Sequence, residues 1–146
     1  MVSNVKKLRE VTGAGVMECK KALEDAKGDF DLAIKLIGER GLVKAERKQG
    51  RSTGAGLLES YVHNGRVGVL LELRSETDFV ARSEPFRNLA HELVMQIAAM
   101  GPENVPALLE SFYVKDESVK VDDLVKQLMA KVGENIRVEK FCRYEI

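Results

Sequence analysis

The sequence has no surplus of either charge: its 146 residues contain 23 lysines and arginines against 23 aspartates and glutamates. General affinity for nucleic acid needs excess cations to displace counterions from phosphates, so this balance excludes a bulk phosphate binder. Cysteine is scarce, and Cys19 and Cys142 fit neither a CxxC pair nor a zinc spacing. The histidines, His63 and His91, are too few and too scattered for an imidazole metal site. No cofactor or metal is therefore expected, and unpaired thiols suit a reducing, cytoplasmic setting. No apolar run approaches the roughly 20 residues of a membrane span. Residues 1–7 open an amphipathic helix rather than a signal core. A Walker loop, a GxSxG elbow and an HExxH motif are all missing. The acidic pairs Glu24-Asp25 and Asp122-Asp123 fall within helical patterns, where they read as solvated faces. No enzyme is expected.

What is present is an ordinary folding composition, with 45% hydrophobic and 32% charged residues. Three short helices come first. Ser3 can cap a segment with Val5, Leu8 and Val11 at helical spacing, and Thr12-Gly13-Ala14-Gly15 interrupts it. A second segment, 16–27, aligns Cys19, Leu23 and Ala26 before Gly28. Asp29 can cap a third, whose stripe of Phe30, Ala33, Ile34 and Ile37 is expected to end at Gly41. Helices this short are marginal alone, so residues 1–42 are expected to share one small core as a three-helix module. Residues 43–55 read as a basic linker, with Lys44, Lys48 and Arg51 among its cations.

From 56 to 146 the pattern predicts an α+β core. Stretches 57–63 and 66–74 flank Asn64-Gly65, a strong signal for a hairpin with a two-residue turn. That turn would set Tyr61 opposite Gly68. Leu58, Val62, Val69 and Leu71 would then face the core, and Leu57, Tyr61 and Leu70 the other side. After a loop at 75–82, Ser83 can cap a helix with Phe86, Leu89, Leu93 and Ile97 inward, stopped by Gly101-Pro102. Residues 103–120 are weakly patterned, with one helical turn near 107–110. A helix carrying Leu124, Val125, Leu128 and Val132 ends at Gly133. The tail 135–146 reads as a third strand whose alternation Lys140 interrupts. This order implies an antiparallel three-stranded sheet with helices on one face.

Two stretches exceed what folding requires. One runs from Leu8-Arg9-Glu10-Val11-Thr12-Gly13-Ala14-Gly15-Val16-Met17 through Glu18-Cys19-Lys20-Lys21-Ala22-Leu23; the other is Glu76-Thr77-Asp78-Phe79-Val80-Ala81-Arg82. Both closely resemble the signatures of the elongation factor Ts family, and Gly133-Glu134-Asn135-Ile136 and Arg143-Tyr144-Glu145 are similar to the end of its core domain. The resemblance implies a guanine-nucleotide exchange factor for elongation factor Tu, acting in translation elongation. It implies that residues 1–42 form a module similar to a ubiquitin-associated domain, docking on the GTPase through Lys6, Arg9, Val16, Met17 and Lys20. It further implies that Thr77, Asp78, Phe79 and Val80 enter the GTPase beside the nucleotide and disturb its magnesium site. A rival expectation is an adaptor whose Thr12–Val16 loop binds another protein without exchange activity; such an adaptor has no use for the Thr77–Val80 tip.

The chain also departs from the family pattern. Gln96 stands where many relatives have a histidine that presses on the phosphate-binding side of the partner, so restoring histidine is expected to be neutral or mildly favourable. Arg74 replaces the usual asparagine. A long helical insertion between Met100 and the Phe112-Tyr113-Val114 stretch is nearly absent. Many relatives carry two copies of the core subdomain, whereas this chain has one. The working unit is therefore expected to be a homodimer, paired through the sheet face bearing Leu57, Tyr61 and Leu70, with Cys142 near its symmetry mate.

Overall fold

A computed structural model describes residues 2–146. Helices α1 (Val2–Thr12), α2 (Val16–Asp25) and α3 (Phe30–Lys48) bury Leu8, Cys19, Ala22, Leu23, Ala26, Ala33 and Ile37 against one another. Asp29 caps α3 as expected, accepting a hydrogen bond from the Leu32 amide at 3.1 Å. Gly41, however, does not stop this helix. It is buried where α3 crosses a later helix, α7 (Val121–Val132), and a Cβ added to it would lie 3.1 Å from the Ala130 Cβ. Glycine inside a helix costs about 1 kcal/mol relative to alanine. Here the loss is offset because only a residue without a side chain lets the two helices approach so closely. Ala45 is buried one turn further on, and Lys126 of α7 reaches Glu46 of α3 at 3.3 Å. Much of the stretch read as a basic linker is thus the end of α3.

The sheet has the order β1-β2-β5, all antiparallel, from β1 (Ala55–His63), β2 (Val67–Ser75) and β5 (Ile136–Glu145). Asn64 and Gly65 both have positive φ, and the Arg66 amide donates to the His63 carbonyl at 3.0 Å, as a tight turn requires. Pairing nevertheless resumes at His63 and Val67, which leaves Arg66 as an extra residue. Tyr61 therefore lies opposite Val69, not Gly68. A one-residue slip exchanges the two faces of a strand. Leu57 and Tyr61 pack on the core, while Leu58 and Val62 point outward, each 67% exposed. Burial decides this register: it stacks Tyr61 edge-on against His91 of α5 (Glu84–Met100), with ring centroids 6.2 Å apart. On the far side, a bulge at Glu139 of β5, opposite Glu72 and Leu73 of β2, accommodates the break at Lys140, so that Val138 and Phe141 both turn inward.

All the larger core helices cover this one face. Phe86, Leu89, Ala90, Leu93 and Ile97 of α5 and Val125, Leu128 and Met129 of α7 join Val69, Leu71 and Leu73 in a single core. The one-turn helix α4 (Asp78–Ala81) precedes α5. The weakly patterned stretch contains α6 (Val105–Glu110) and a small hairpin, β3 (Phe112–Tyr113) with β4 (Asp116–Lys120).

The close crossing has a measurable consequence. Gly41→Leu is expected to lower unfolding stability by about 1–3 kcal/mol in urea denaturation, because the added side chain must push α3 away from α7. An unchanged midpoint would contradict so tight a contact.

Candidate protein-docking site

Strand β2 ends at Ser75 and α5 begins at Glu84, so the tip between them hangs from two rigid elements. Thr77 is the N-cap of α4, its hydroxyl accepting from the Val80 amide at 3.3 Å. The same hydroxyl donates to the Glu134 carboxylate at 2.7 Å, and the Thr77 amide donates to the other oxygen at 3.0 Å. Ser75, fully buried, donates to the Thr77 carbonyl at 2.9 Å. At the far end the Ser83 hydroxyl donates to the Val80 carbonyl at 2.6 Å.

The four residues of the tip are therefore not equivalent. Val80 is buried in the protein's own core, and Thr77 is committed to Glu134 and Val80. Asp78 and Phe79 project into solvent, Phe79 with 86% of its surface exposed. A phenyl ring left open on a braced turn makes no contribution to the fold; its energetic value lies in being buried by something else.

The five positions that the family resemblance implies for docking lie on the helical module. Lys6 and Arg9 lie on α1, and Val16, Met17 and Lys20 on the first turns of α2, all exposed. Met17, at 72% exposure, borders a cleft of about 540 Å³ between α2 and α3, together with Lys21, Val43 and Arg47. Val43 is the half of this apolar pair that the sequence did not reveal, because it falls in the stretch read as linker. The basic run is only partly free: Lys44 binds Glu18 at 3.0 Å and Arg51 meets Glu76 at 3.6 Å.

Gln96 lies elsewhere. Only 1% exposed, it donates from Nε2 to the Phe112 carbonyl at 2.9 Å and to the Ser111 hydroxyl at 3.3 Å, and its Oε1 accepts from the Val114 amide at 3.0 Å. It pins the β3–β4 hairpin to α5 and is not free to press on a partner. Tyr113 assists by hydrogen bonding to Glu92; burial, and then that carboxylate, pushes its phenol up to about 12. Among the described residues no group of three or more His, Cys, Asp or Glu could hold a metal ion, and no helix is long and apolar enough to cross a membrane.

Fold and site together define an α+β protein with an N-terminal helical module and a braced, solvent-exposed apolar tip between β2 and α5. The family model described as elongation factor TS matches residues 76–146, which include the tip. Elongation factor Ts of Thermotoga maritima is 43% identical over 186 aligned positions, covering 97% of this chain and 94% of the relative. That of Fervidobacterium nodosum is 43% identical with 97% and 95% covered, and that of Thermosipho melanesiensis 39% identical with 97% and 96% covered. The chain belongs to the elongation factor Ts family. The 186 aligned positions exceed the 146 residues here, so the Thermotoga relative carries residues that this chain skips.

The position of Gln96 reverses one expectation. Gln96→His is expected to cost about 2 kcal/mol in urea unfolding, since a buried imidazole cannot replace two donated bonds and one accepted bond. Unaltered stability would mean that Gln96 does not hold the hairpin.

Proposed function

We propose that the chain is a guanine-nucleotide exchange factor: it binds GDP-loaded elongation factor Tu and promotes GDP release during translation elongation in the cytoplasm. The observation that carries this reading is the exposed Phe79 on a turn fixed at both ends. The ring enters the GTPase as an apolar wedge, and the Asp78 carboxylate beside it disturbs the polar network around the bound magnesium. Losing magnesium removes charge neutralisation from the phosphates, so GDP is held less tightly. No residue of this chain performs covalent chemistry in such a scheme. Binding is reciprocal: the factor weakens GDP by the same ratio by which GDP weakens the factor.

Residues 1–42 serve as the docking module, with Lys6, Arg9 and Lys20 supplying charge and Val16 and Met17 apolar contact. Cations around an exposed methionine suit a partner surface with acidic edges. Residues 56–146 carry the exchange tip and the dimer face. The alternative of a plain adaptor leaves the braced tip without a purpose.

The working unit is a homodimer joined through the uncovered sheet face. Of the side chains that the expected hairpin register placed there, Leu70 remains on this face, whereas Leu57 and Tyr61 pack on the core. Leu58, Val62, Leu70 and Tyr144 are exposed there, beside Gly68 and Cys142, and the buried Tyr61 side is excluded because α5 covers it. A second copy placed about a two-fold axis would bury this face as a sandwich.

Release of fluorescent GDP from elongation factor Tu tests the central claim, with catalytic amounts of the protein expected to accelerate it by orders of magnitude. Phe79→Ala is expected to reduce that acceleration at least about tenfold while leaving the melting temperature nearly unchanged, as suits an exposed side chain. Arg9→Ala and Lys20→Ala should weaken association in proportion to how little salt is present. No acceleration at micromolar protein would end the proposal. Light scattering tests the dimer: Leu70→Glu should halve the mass, and a one-chain mass of the unmodified protein at every concentration would exclude it.

A further inference from the structure

The last residues of α7 lead through Gly133, in the left-handed conformation at φ 74°, directly to the base of the tip. Three segments distant in sequence meet there. Glu134 takes the amide and hydroxyl of Thr77 with its two carboxylate oxygens. In return, Glu76 accepts a hydrogen bond from the Asn135 amide at 2.7 Å. The Asn135 side chain, 2% exposed, donates through Nδ2 to the Gln49 carbonyl at 3.1 Å and the Arg51 carbonyl at 2.8 Å. Arg51 closes the circuit on Glu76 at 3.6 Å. The tip and the turn after α7 are thus joined by hydrogen bonds to carboxylates, which are the stronger kind, and the turn is tied to the chain leaving α3 by the neutral hydrogen bonds of Asn135.

We propose that Glu134 and Asn135 are positioning residues for exchange: Glu134 presets the tip, and Asn135 ties its base to the chain leaving α3. This inference rests on the reading of the tip given above. The hydroxyl of Thr77 has one hydrogen, which goes to Glu134, so its lone pairs are left facing the Val80 amide. Glu134 therefore sets the direction in which α4 starts, and with it the direction of Phe79. Neither Glu134 nor Asn135 needs to touch the partner. Without the clasp the tip would sample other conformations; the helical module would still dock, so the complex would form as before, but only the fraction of complexes with a competent tip would release GDP, which lowers the rate at saturation.

The test uses the full chain with Glu134→Ala, Glu134→Gln and, as control, Phe79→Ala. Two quantities are read: fluorescent-GDP release from elongation factor Tu over a range of factor concentrations, and amide hydrogen exchange of Thr77 and Val80 in the free protein. Glu134→Ala is expected to lower the maximal release rate about tenfold with the half-saturating concentration unchanged. It should also speed exchange at the Thr77 and Val80 amides while leaving α5 protected. Glu134→Gln, which keeps one acceptor oxygen, should fall between the two. A maximal rate within twofold of the unmodified protein, in an assay where Phe79→Ala is impaired, would overturn the clasp while leaving the reading of the tip intact. Phe79→Ala without effect would remove the reading and the inference with it. Loss confined to half-saturation would make Glu134 a contact residue and also overturn the proposal. Asn135 is buried and its replacement could unfold the chain, so Asn135→Asp is read by exchange at Thr77 alone, where unchanged protection would contradict its share of the clasp.

Discussion

Burial of Val69, Leu71 and Leu73 on the central strand beneath α5 is the constraint from which the remaining geometry follows. Strand β2 has neighbours on both sides, so its inward face is defined first, and β1 and β5 must present matching faces to it. On β1 this is met by an extra residue at Arg66, and on β5 by a bulge opposite Glu72 and Leu73. Both adjustments break local regularity to keep apolar side chains under the helices. Bulges and longer turns cost a ladder hydrogen bond, whereas a register error would move a whole strand's apolar set into water.

Much of this architecture was legible in the sequence. The three helices of the module, the cap at Asp29, the stops at Gly101 and Gly133 and the antiparallel sheet with helices on one face follow from periodicity and turn chemistry. The failures have a common physical origin. Asn64-Gly65 supplies the positive φ angles for a tight turn, but those angles do not say where pairing resumes; the contact of Tyr61 with α5 does. Gly41 reads as a stop because glycine ends isolated helices, yet it continues here because α7 lies against it. Gln96 reads as partner-facing from the family resemblance, and nothing local corrects that reading because its hydrogen-bond partners, Ser111 to Val114, lie in a stretch without a clear pattern.

The tip was legible as a motif but not as a mechanical object. Sequence alone offers Thr77, Asp78, Phe79 and Val80 as a set; packing divides them into two that hold and two that project. The holding partner, Glu134, is 57 positions away, and no local rule connects it with Thr77. A site whose reach depends on such distant braces draws its precision from the whole core.

The continuity of α3 carries a final consequence. Its 19 residues pass unbroken from the helical module to the core, a rod of about 28 Å at the usual rise. Its surface composition is loosely constrained, since most of its polar side chains face water. Its length is not. Each residue inserted would advance the module by about 1.5 Å and swing it by about 100° around the axis, carrying Lys6, Arg9 and Met17 to another side of the molecule while Phe79 stayed where it was. Helix α3 is in effect a measuring gauge, and evolution can repaint it more easily than recut it.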